Sequence, residues 1–207
     1  MNYFIDFDHT LYNTNLITES LLINLSEFIA KNSNNDYTNV LKNLKSKFQR
    51  GQIYDIYALV SYFSKKYNFN ESDAVSLINQ TLLNGQKFVF EDSIPFLQYL
   101  KSQGNKIYIC SYNENKIYYQ ALKITGSGLL NYVDGIFPTI IHKSFLPVDF
   151  KHSIFIDDKP KDLIYIYNKK PFKIYRIRRP GDTYSSFETN LPIPEFSSLE
   201  ELKKEIK

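Results

Sequence analysis

Two aspartates close to the start of the chain, Asp6 and Asp8, directly follow a short apolar run in the stretch YFIDFDHTL. Side chains two residues apart in an extended segment point in the same direction, so both carboxylates can face one ligand. Two carboxylates held close together also push their pKa values apart, which suits them to different tasks in proton transfer. This pair is therefore the first candidate for a site with acid–base chemistry.

Further polar residues stand where later apolar runs end. Ser111 ends the run KIYICS, Lys143 follows PTIIH, and Asp157 and Asp158 follow SIFI, with Asp162 one helical turn later. An aspartate at a strand end is often a turn former or a helix cap, so each one alone has an ordinary explanation. Several acids gathered at one edge, however, repel one another unless a cation lies among them, and such oxygen ligands suit Mg²⁺. The joint pattern therefore predicts a magnesium site.

A parallel sheet would bring these residues together, and the apolar pattern predicts one. From about residue 93 onward, short apolar runs alternate with helical segments, which is typical of α/β winding, and Ser93 is the predicted cap of the first such helix. The carboxyl ends of parallel strands share one edge, where ligand sites form. The predicted strands are 3–5, 106–110, 136–141, 153–156 and 173–177, and the predicted helices are 93–104, 114–124, 162–167 and 198–206.

Residues 15–92 have a different pattern, in which apolar side chains recur at helical spacing. Leu21, Leu25 and Ile29 share one face, and Asn70 is a candidate amino-terminal cap for the last of four helices. No run of strand type separates these helices. We therefore predict an α/β fold with a Rossmann-like parallel sheet core, formed by 1–14 and 93–207, and an inserted all-helical subdomain over 15–92.

The composition restricts the class of protein. A length of 207 residues with 43% hydrophobic and 23% charged residues fits one globular domain with an insertion. The net charge is only +3 and the lysines are scattered, so no nucleic-acid partner is expected. A single cysteine, Cys110, fits a reducing compartment, and the sequence shows no signal-like or membrane-spanning run. We expect a cytoplasmic protein without membrane contact, and the oligomeric state stays open.

The motifs, taken together and in order, resemble those of the haloacid dehalogenase (HAD) superfamily of phosphohydrolases, over nearly the whole chain. FIDFDHTL is similar to the first motif of that family, Asp-x-Asp-x-Thr, and IYICS is similar to the second. Lys143 fits the third motif and FIDDKPKDL the fourth, while QALKITGSGLLNYVDGIF resembles members with a small helical cap. Members that cleave carbon–halogen bonds lack the second aspartate, so Asp8 favours phosphoryl transfer.

The resemblance implies a role for each site residue. Asp6 would attack phosphorus to form an aspartyl-phosphate, and Asp8 would protonate the leaving oxygen and then deprotonate the hydrolytic water. Asp6 would have to be ionised and Asp8 protonated for the first step. Ser111 would donate a hydrogen bond to a phosphoryl oxygen, and Lys143 would offset the remaining negative charge.

The resemblance also implies the ligands of Mg²⁺. These would be the Asp6 carboxylate, the backbone carbonyl of Asp8 and a carboxylate of the fourth motif. Asp158 is favoured as the direct ligand because its spacing to Asp162 matches the family, and Asp157 is the close alternative.

Two neighbouring positions complete these expectations. Thr10 is expected to support the turn through its hydroxyl, and a contact with substrate is the alternative. Lys151 is the alternative lysine of the third motif, but it precedes the fourth strand at its amino edge, so Lys143 is favoured.

The predicted function is that of a Mg²⁺-dependent phosphatase acting on a small phosphorylated metabolite of nucleotide or sugar phosphate type. The helical insertion lies where one HAD branch carries a mobile cap, which excludes water and selects small substrates. Two alternatives stay open. One is a phosphomutase, and the other is a non-catalytic protein that binds phosphoryl groups or a partner on the same fold.

Overall fold

The structure is a computed structural model that describes residues 1–49, 53, 55–112, 117–139 and 142–206. The chain divides into two compact units, one formed by Met1–Asn15 with Gly85–Lys207 and the other by Leu16–Asn84. Residues 85–92 group with the first unit, whereas the sequence prediction assigns them to the helical insertion. The role of the second unit as a cap stays a prediction.

The unit Leu16–Asn84 consists of helices in its described part. Apolar residues at helical spacing, among them Leu21, Leu25 and Ile29, are buried as predicted. Asn70 caps the last helix, because its side chain accepts hydrogen bonds from the backbone N–H groups of Ser72 and Asp73. The helices are α1 (Thr14–Ser33), which begins in the first unit, α2 (Tyr37–Gln49), α3 (Ile56–Tyr67) and α4 (Glu71–Leu83).

The other unit is built on a parallel sheet, which confirms the predicted α/β fold class. The strands are β1 (Asn2–Ile5), β2 (Lys106–Tyr112), β3 (Gly135–Thr139), β4 (Ser153–Asp157), β5 (Lys173–Ile177) and β6 (Glu195–Phe196). Their order is β3-β2-β1-β4-β5-β6, and each neighbouring pair is parallel. The sequence pattern did not predict β6, and part of the predicted strand 136–141 lies outside the described residues.

The helices of this unit are α5 (Ser93–Ser102), α6 (Ile117–Gly126), α7 (Pro160–Tyr167) and α8 (Leu199–Glu205). The prediction that Ser93 caps α5 is wrong. Asp92 occupies the cap position, and the Ser93 hydroxyl instead donates to the backbone carbonyl of Leu11 at 2.9 Å. This bond ties the start of α5 to the loop after β1. Residues 114–116 of the predicted helix 114–124 lie outside the described part.

β1 is the central strand, and its packing explains why the site can be held rigidly. Ile5 is fully buried, and it lies level with Ile109 of β2 and Ile156 of β4. The ring of Phe4 stacks on Tyr108 at 5.2 Å and on Phe155 at 5.1 Å. The residues that follow β1 are therefore anchored to both neighbouring strands. No helix in the described ranges is both long and apolar enough to cross a membrane.

Candidate active site

The predicted site residues meet at the carboxyl edge of the sheet, next to β1. The strand order places the reversal of winding between β1 and β4, which is where parallel α/β sheets bind ligands. The backbone N–H of Asp6 donates to the carbonyl of Ile156 at 2.8 Å, so the residue after β1 is fixed against β4. The predicted residues that lie buried at this edge are Asp6, Thr10, Ser111, Lys143, Asp157, Asp158 and Asp162, and Asp8 is partly buried there.

Asp6, Asp157 and Asp158 form an acidic cluster in which one carboxylate oxygen of each lies within 4.8 Å of the others. Lys143 is buried beside them. Its ammonium donates to Asp6 Oδ1 at 2.5 Å and to Asp157 Oδ2 at 2.6 Å. The lysine starts a short 3₁₀ turn, Lys143–Phe145, which comes after β3 in the chain. Its ammonium therefore reaches the cluster from the side of β3.

Lys151 lies elsewhere. It is exposed in the 3₁₀ turn Phe150–His152, which precedes β4. The structure thus brings Lys143 to the acidic cluster and leaves Lys151 at the amino end of β4. The link between β3 and β4 consists of two such short turns in its described part, and no α-helix lies between them.

One ammonium does not balance three buried carboxylates. Burial raises the pKa of Asp6 to about 7, against the opposing effect of Lys143, and the charges of Asp157 and Asp8 add to the rise. Burial also raises the pKa of Asp157, and burial together with Asp6 and Asp157 raises that of Asp158 well above its usual range. The cluster therefore favours a further positive charge.

The donor set fits a divalent cation. Asp158 Oδ2 is buried and has no hydrogen-bond partner in the part of the chain that the structure describes. Both oxygens of Asp157 are engaged, one by Lys143 and the other by the backbone N–H of Lys159 at 3.0 Å. A free, buried carboxylate oxygen beside two others is the arrangement that suits Mg²⁺. This geometry favours Asp158 over Asp157 as the direct ligand.

Asp162 supports the lysine from the far side of the cluster. One of its oxygens lies 3.8 Å from Lys143 Nζ, and the other lies 3.2 Å from His142 Nε2. The carboxylate is buried, and its contacts with Lys143 and His142 place it to orient these two side chains.

The turn after β1 is held by its backbone, and the expected role of the Thr10 hydroxyl is not what the structure shows. Thr10 Oγ1 is buried without a hydrogen-bond partner among the described residues, while the Thr10 carbonyl accepts from Arg179 at 2.8 Å. Arg179 also pairs with Asp92. His9 has a left-handed backbone with φ of 61°, and its ring lies against the Asp182 carboxylate. The segment after β5 therefore fixes this turn.

Asp8 has a different set of neighbours from Asp6. Its carboxylate accepts hydrogen bonds from the Thr14 hydroxyl, from Gln120 Nε2 at 2.7 Å and from the Lys123 ammonium. Burial alone would raise the pKa of Asp8, but Lys123 and these hydrogen bonds outweigh it and bring the pKa below its usual value. The expectation that Asp8 is the protonated partner is therefore not what its surroundings favour.

Sequence reasoning missed Gln120 and Lys123. Both are buried on α6, three residues apart, and so on one face of the helix. Gln120 Nε2 also donates to Ser111 Oγ at 2.6 Å, which leaves the Ser111 hydroxyl hydrogen available for a ligand. Two polar residues at i and i+3, within a helix that follows the second motif, were the signal that could have identified them.

Comparison with known proteins relates the fold of this chain to that of solved structures. The chain matches no protein-family model and no curated protein. It is similar to a putative haloacid dehalogenase-like hydrolase from Burkholderia xenovorans, with 16% identity, 98% of this chain and 94% of the other covered, and a TM-score of 0.70. It is also similar to a HAD phosphatase from Thermococcus onnurineus, with 18% identity, coverage of 99% and 97%, and a TM-score of 0.62. A putative β-phosphoglucomutase from Thermotoga maritima matches at 12% identity, with coverage of 100% and 99% and a TM-score of 0.65.

Proposed function

We propose that this chain, which has the fold of the HAD superfamily, is a Mg²⁺-dependent phosphatase that hydrolyses small phosphate monoesters through an aspartyl-phosphate. The observation that carries the proposal is the position of Asp6. Its carboxylate accepts a hydrogen bond from a buried ammonium and lies beside two further carboxylates, at the switch point of a parallel sheet. A second carboxylate, that of Asp8, follows two residues later.

Asp6 is the nucleophile in this proposal. Lys143 holds one of its oxygens, so the other is left to attack phosphorus along a fixed direction. Mg²⁺ would be held by the carboxylates of Asp6 and Asp158 and by the backbone carbonyl of Asp8, where it would screen the repulsion between the phosphate and Asp6. The Ser111 hydroxyl would donate a hydrogen bond to a phosphoryl oxygen, and Lys143 would offset the remaining negative charge.

Asp8 moves the protons. It would give a proton to the leaving oxygen and then take one from the water that hydrolyses the aspartyl-phosphate. Its donors, Thr14, Gln120 and Lys123, stabilise the ionised carboxylate, which is the form that the second step requires. The first step requires the protonated form and is the step in which the leaving group departs, so the proton from Asp8 matters most for a poor leaving group.

The substrate in this proposal is a small phosphorylated metabolite. The described helices of Leu16–Asn84 are proposed to act as the cap that selects it. A carbon–halogen substrate is disfavoured, because halide leaves as an anion without needing a proton, so the acid role proposed for Asp8 in the first step would have no use.

The test is a phosphate-release screen over nucleotides, sugar phosphates and small phospho-acids, with Mg²⁺ and with a chelator. We expect metal-dependent turnover of one chemical class, and its loss in Asp6→Asn. Lys106→Met, which alters an exposed lysine 3.5 Å from Asp134, is the matched control and should keep full activity.

Three other outcomes would each contradict the phosphatase. Isomerisation of a sugar phosphate without net phosphate release would identify a phosphomutase. Halide release from a haloacid would identify a dehalogenase. Binding of phosphate without any turnover would identify a non-catalytic protein.

A further inference from the structure

Helix α6 carries a lysine that the mechanism above uses only as a neighbour of Asp8. Lys123 is 2% exposed, although a lysine is rarely buried without a partner. Its ammonium contacts Asp8 Oδ1, and this carboxylate is 27% exposed. The lysine therefore lies behind Asp8, on the side away from solvent, and fixes the carboxylate without blocking it.

Three aromatic rings hold the ammonium of Lys123 in place. It lies 5.2 Å from the ring centre of Tyr119, 5.7 Å from that of Phe7 and 5.9 Å from that of Tyr12. Rings at these distances attract a cation and leave it little freedom to move. Gly85 provides the room for Tyr12, since a Cβ at residue 85 would lie 2.5 Å from the phenolic oxygen.

Gln120 adds a second connection to the same carboxylate. Its amide nitrogen donates to Asp8 Oδ2 and to Ser111 Oγ, while Lys123 reaches the other oxygen, Oδ1. Gln120 is fully buried, so these bonds are not exchanged with bulk water. Gln120 and Lys123, both on α6, thus donate hydrogen bonds to the two carboxylate oxygens of Asp8.

We propose that Lys123 and Gln120 are positioning residues that orient the Asp8 carboxylate for proton transfer. This inference rests on the proposed function, in which Asp8 exchanges protons with the leaving group and with water. Neither residue touches the substrate in this proposal, and both act through Asp8. The alternative is an ion pair that only stabilises the fold, as buried lysines commonly do.

A double-mutant cycle distinguishes a positioning role of Lys123 from an ion pair that only stabilises the fold. Lys123→Met should lower kcat by about 10- to 100-fold, because a misplaced catalytic group costs this much, with little change in KM. In an Asp8→Asn background the same substitution should have little further effect, since its target is already lost. An equal loss in both backgrounds would overturn the proposal.

The leaving group gives an independent readout. Proton donation matters more for an alkyl phosphate than for an aryl phosphate, whose leaving group is stable as an anion. The loss in Lys123→Met should therefore be larger on the alkyl ester. Equal losses on the two esters would contradict a role through Asp8, and Lys123→Arg, which keeps the positive charge, should recover part of the activity.

Gln120→Met provides a second test in case Lys123→Met does not fold. It removes the amide donor without leaving a buried charge unpaired. It should lower kcat in the same leaving-group-dependent way. Lys106→Met, which alters an exposed lysine paired with Asp134, should change neither kcat nor KM.

Crystal structures of the wild type and of both variants complete the test without any assay. Asp8 should leave its position beside Thr14 in Lys123→Met or Gln120→Met. An unmoved Asp8 would overturn the proposal. If the wild type releases no phosphate, the proposed phosphatase function is contradicted. The crystal structures alone then decide whether Lys123 and Gln120 position Asp8.

Discussion

Asp6 and Asp8 are two residues apart, and each contacts a buried lysine. The two halves of the site, one around Asp6 and the other around Asp8, nevertheless differ in how many carboxylates share that lysine. Lys143 is shared by Asp6, Asp157 and, at longer range, Asp162. Lys123 faces only Asp8 among the carboxylates described. Burial raises the pKa of Asp6 to about 7, whereas the donors around Asp8 bring its pKa below the usual value.

The difference shows that the number of carboxylates per ammonium decides what such a pair can do. Where carboxylates outnumber the lysine, negative charge is left over and a cation is favoured. Where one lysine meets one carboxylate, the pair is balanced and serves to hold the acid in place. Close approach of two aspartates does not by itself assign their protonation states.

The largest effect should come from removing the shared lysine. Lys143→Met leaves buried carboxylates unpaired, which costs about 3–5 kcal/mol of unfolding free energy. Lys123→Met should cost less, because the Asp8 side chain is partly exposed and its carboxylate can turn toward water once the ammonium is lost. Urea denaturation at neutral pH with a chelator measures both, and an equal loss in the two variants would remove the distinction between the halves.

The two aspartates of the fourth motif should differ in metal binding. Asp158→Asn removes the charge of a buried carboxylate whose Oδ2 has no partner among the described residues, so Mg²⁺ affinity should fall by about 100-fold. Asp157→Asn mainly loses its contact with Lys143, so the affinity should fall by about 10-fold. Calorimetric titration with Mg²⁺ measures both. The opposite order would make Asp157 the direct ligand.

The pH dependence follows from Asp6. Without metal, the folded chain keeps the Asp6 proton up to about pH 7, while the unfolded chain releases it near pH 3.8. The folded state therefore binds more protons in this window, and the unfolding free energy should fall with rising pH, by about 1.4 kcal/mol per pH unit for one proton. Asp8 acts in the opposite sense, since its lowered pKa gives stability that is lost only as pH falls below its usual pKa.

Denaturation with a chelator across this pH range checks the slope. Asp6→Asn should reduce the slope by the contribution of one proton, while Asp157 and Asp158, whose pKa values are also raised, keep the remainder. Saturating Mg²⁺ should remove or reverse the slope, because bound metal keeps the carboxylates ionised. A wild-type stability that rises with pH in the absence of metal would contradict the raised pKa of Asp6.

The smallest effect is expected on the Asp8 side. Thr14→Val removes one hydrogen bond to Asp8 and should cost about 1 kcal/mol of unfolding free energy, because Gln120 and Lys123 remain. The same denaturation experiment measures it. A loss of unfolding free energy as large as that of Lys143→Met would show that the position of Asp8 depends on Thr14 rather than on α6.

The sequence predicted the sheet well because its strands are apolar runs between turn residues, and β5 was predicted with the same bounds as the structure shows. It also predicted which residues lie at the carboxyl edge. It did not predict β6, whose two residues are too short for any periodicity. Lys123 was not predicted because a lysine on a helix normally faces water. Its partner, Asp8, is 115 residues away in the sequence, so the sequence around Lys123 gives no sign that it is buried.

Gly85 contributes no functional group, yet its missing side chain has consequences for how mutational data on this protein should be interpreted. Tyr12 is fully buried and stacked on Phe7 at 4.7 Å, so a new Cβ at residue 85 would force a packed ring to move. A saturation library at residue 85 should therefore accept almost no replacement. Such intolerance would resemble that of a catalytic position, although the requirement at residue 85 is only that no side chain takes the space filled by the Tyr12 ring.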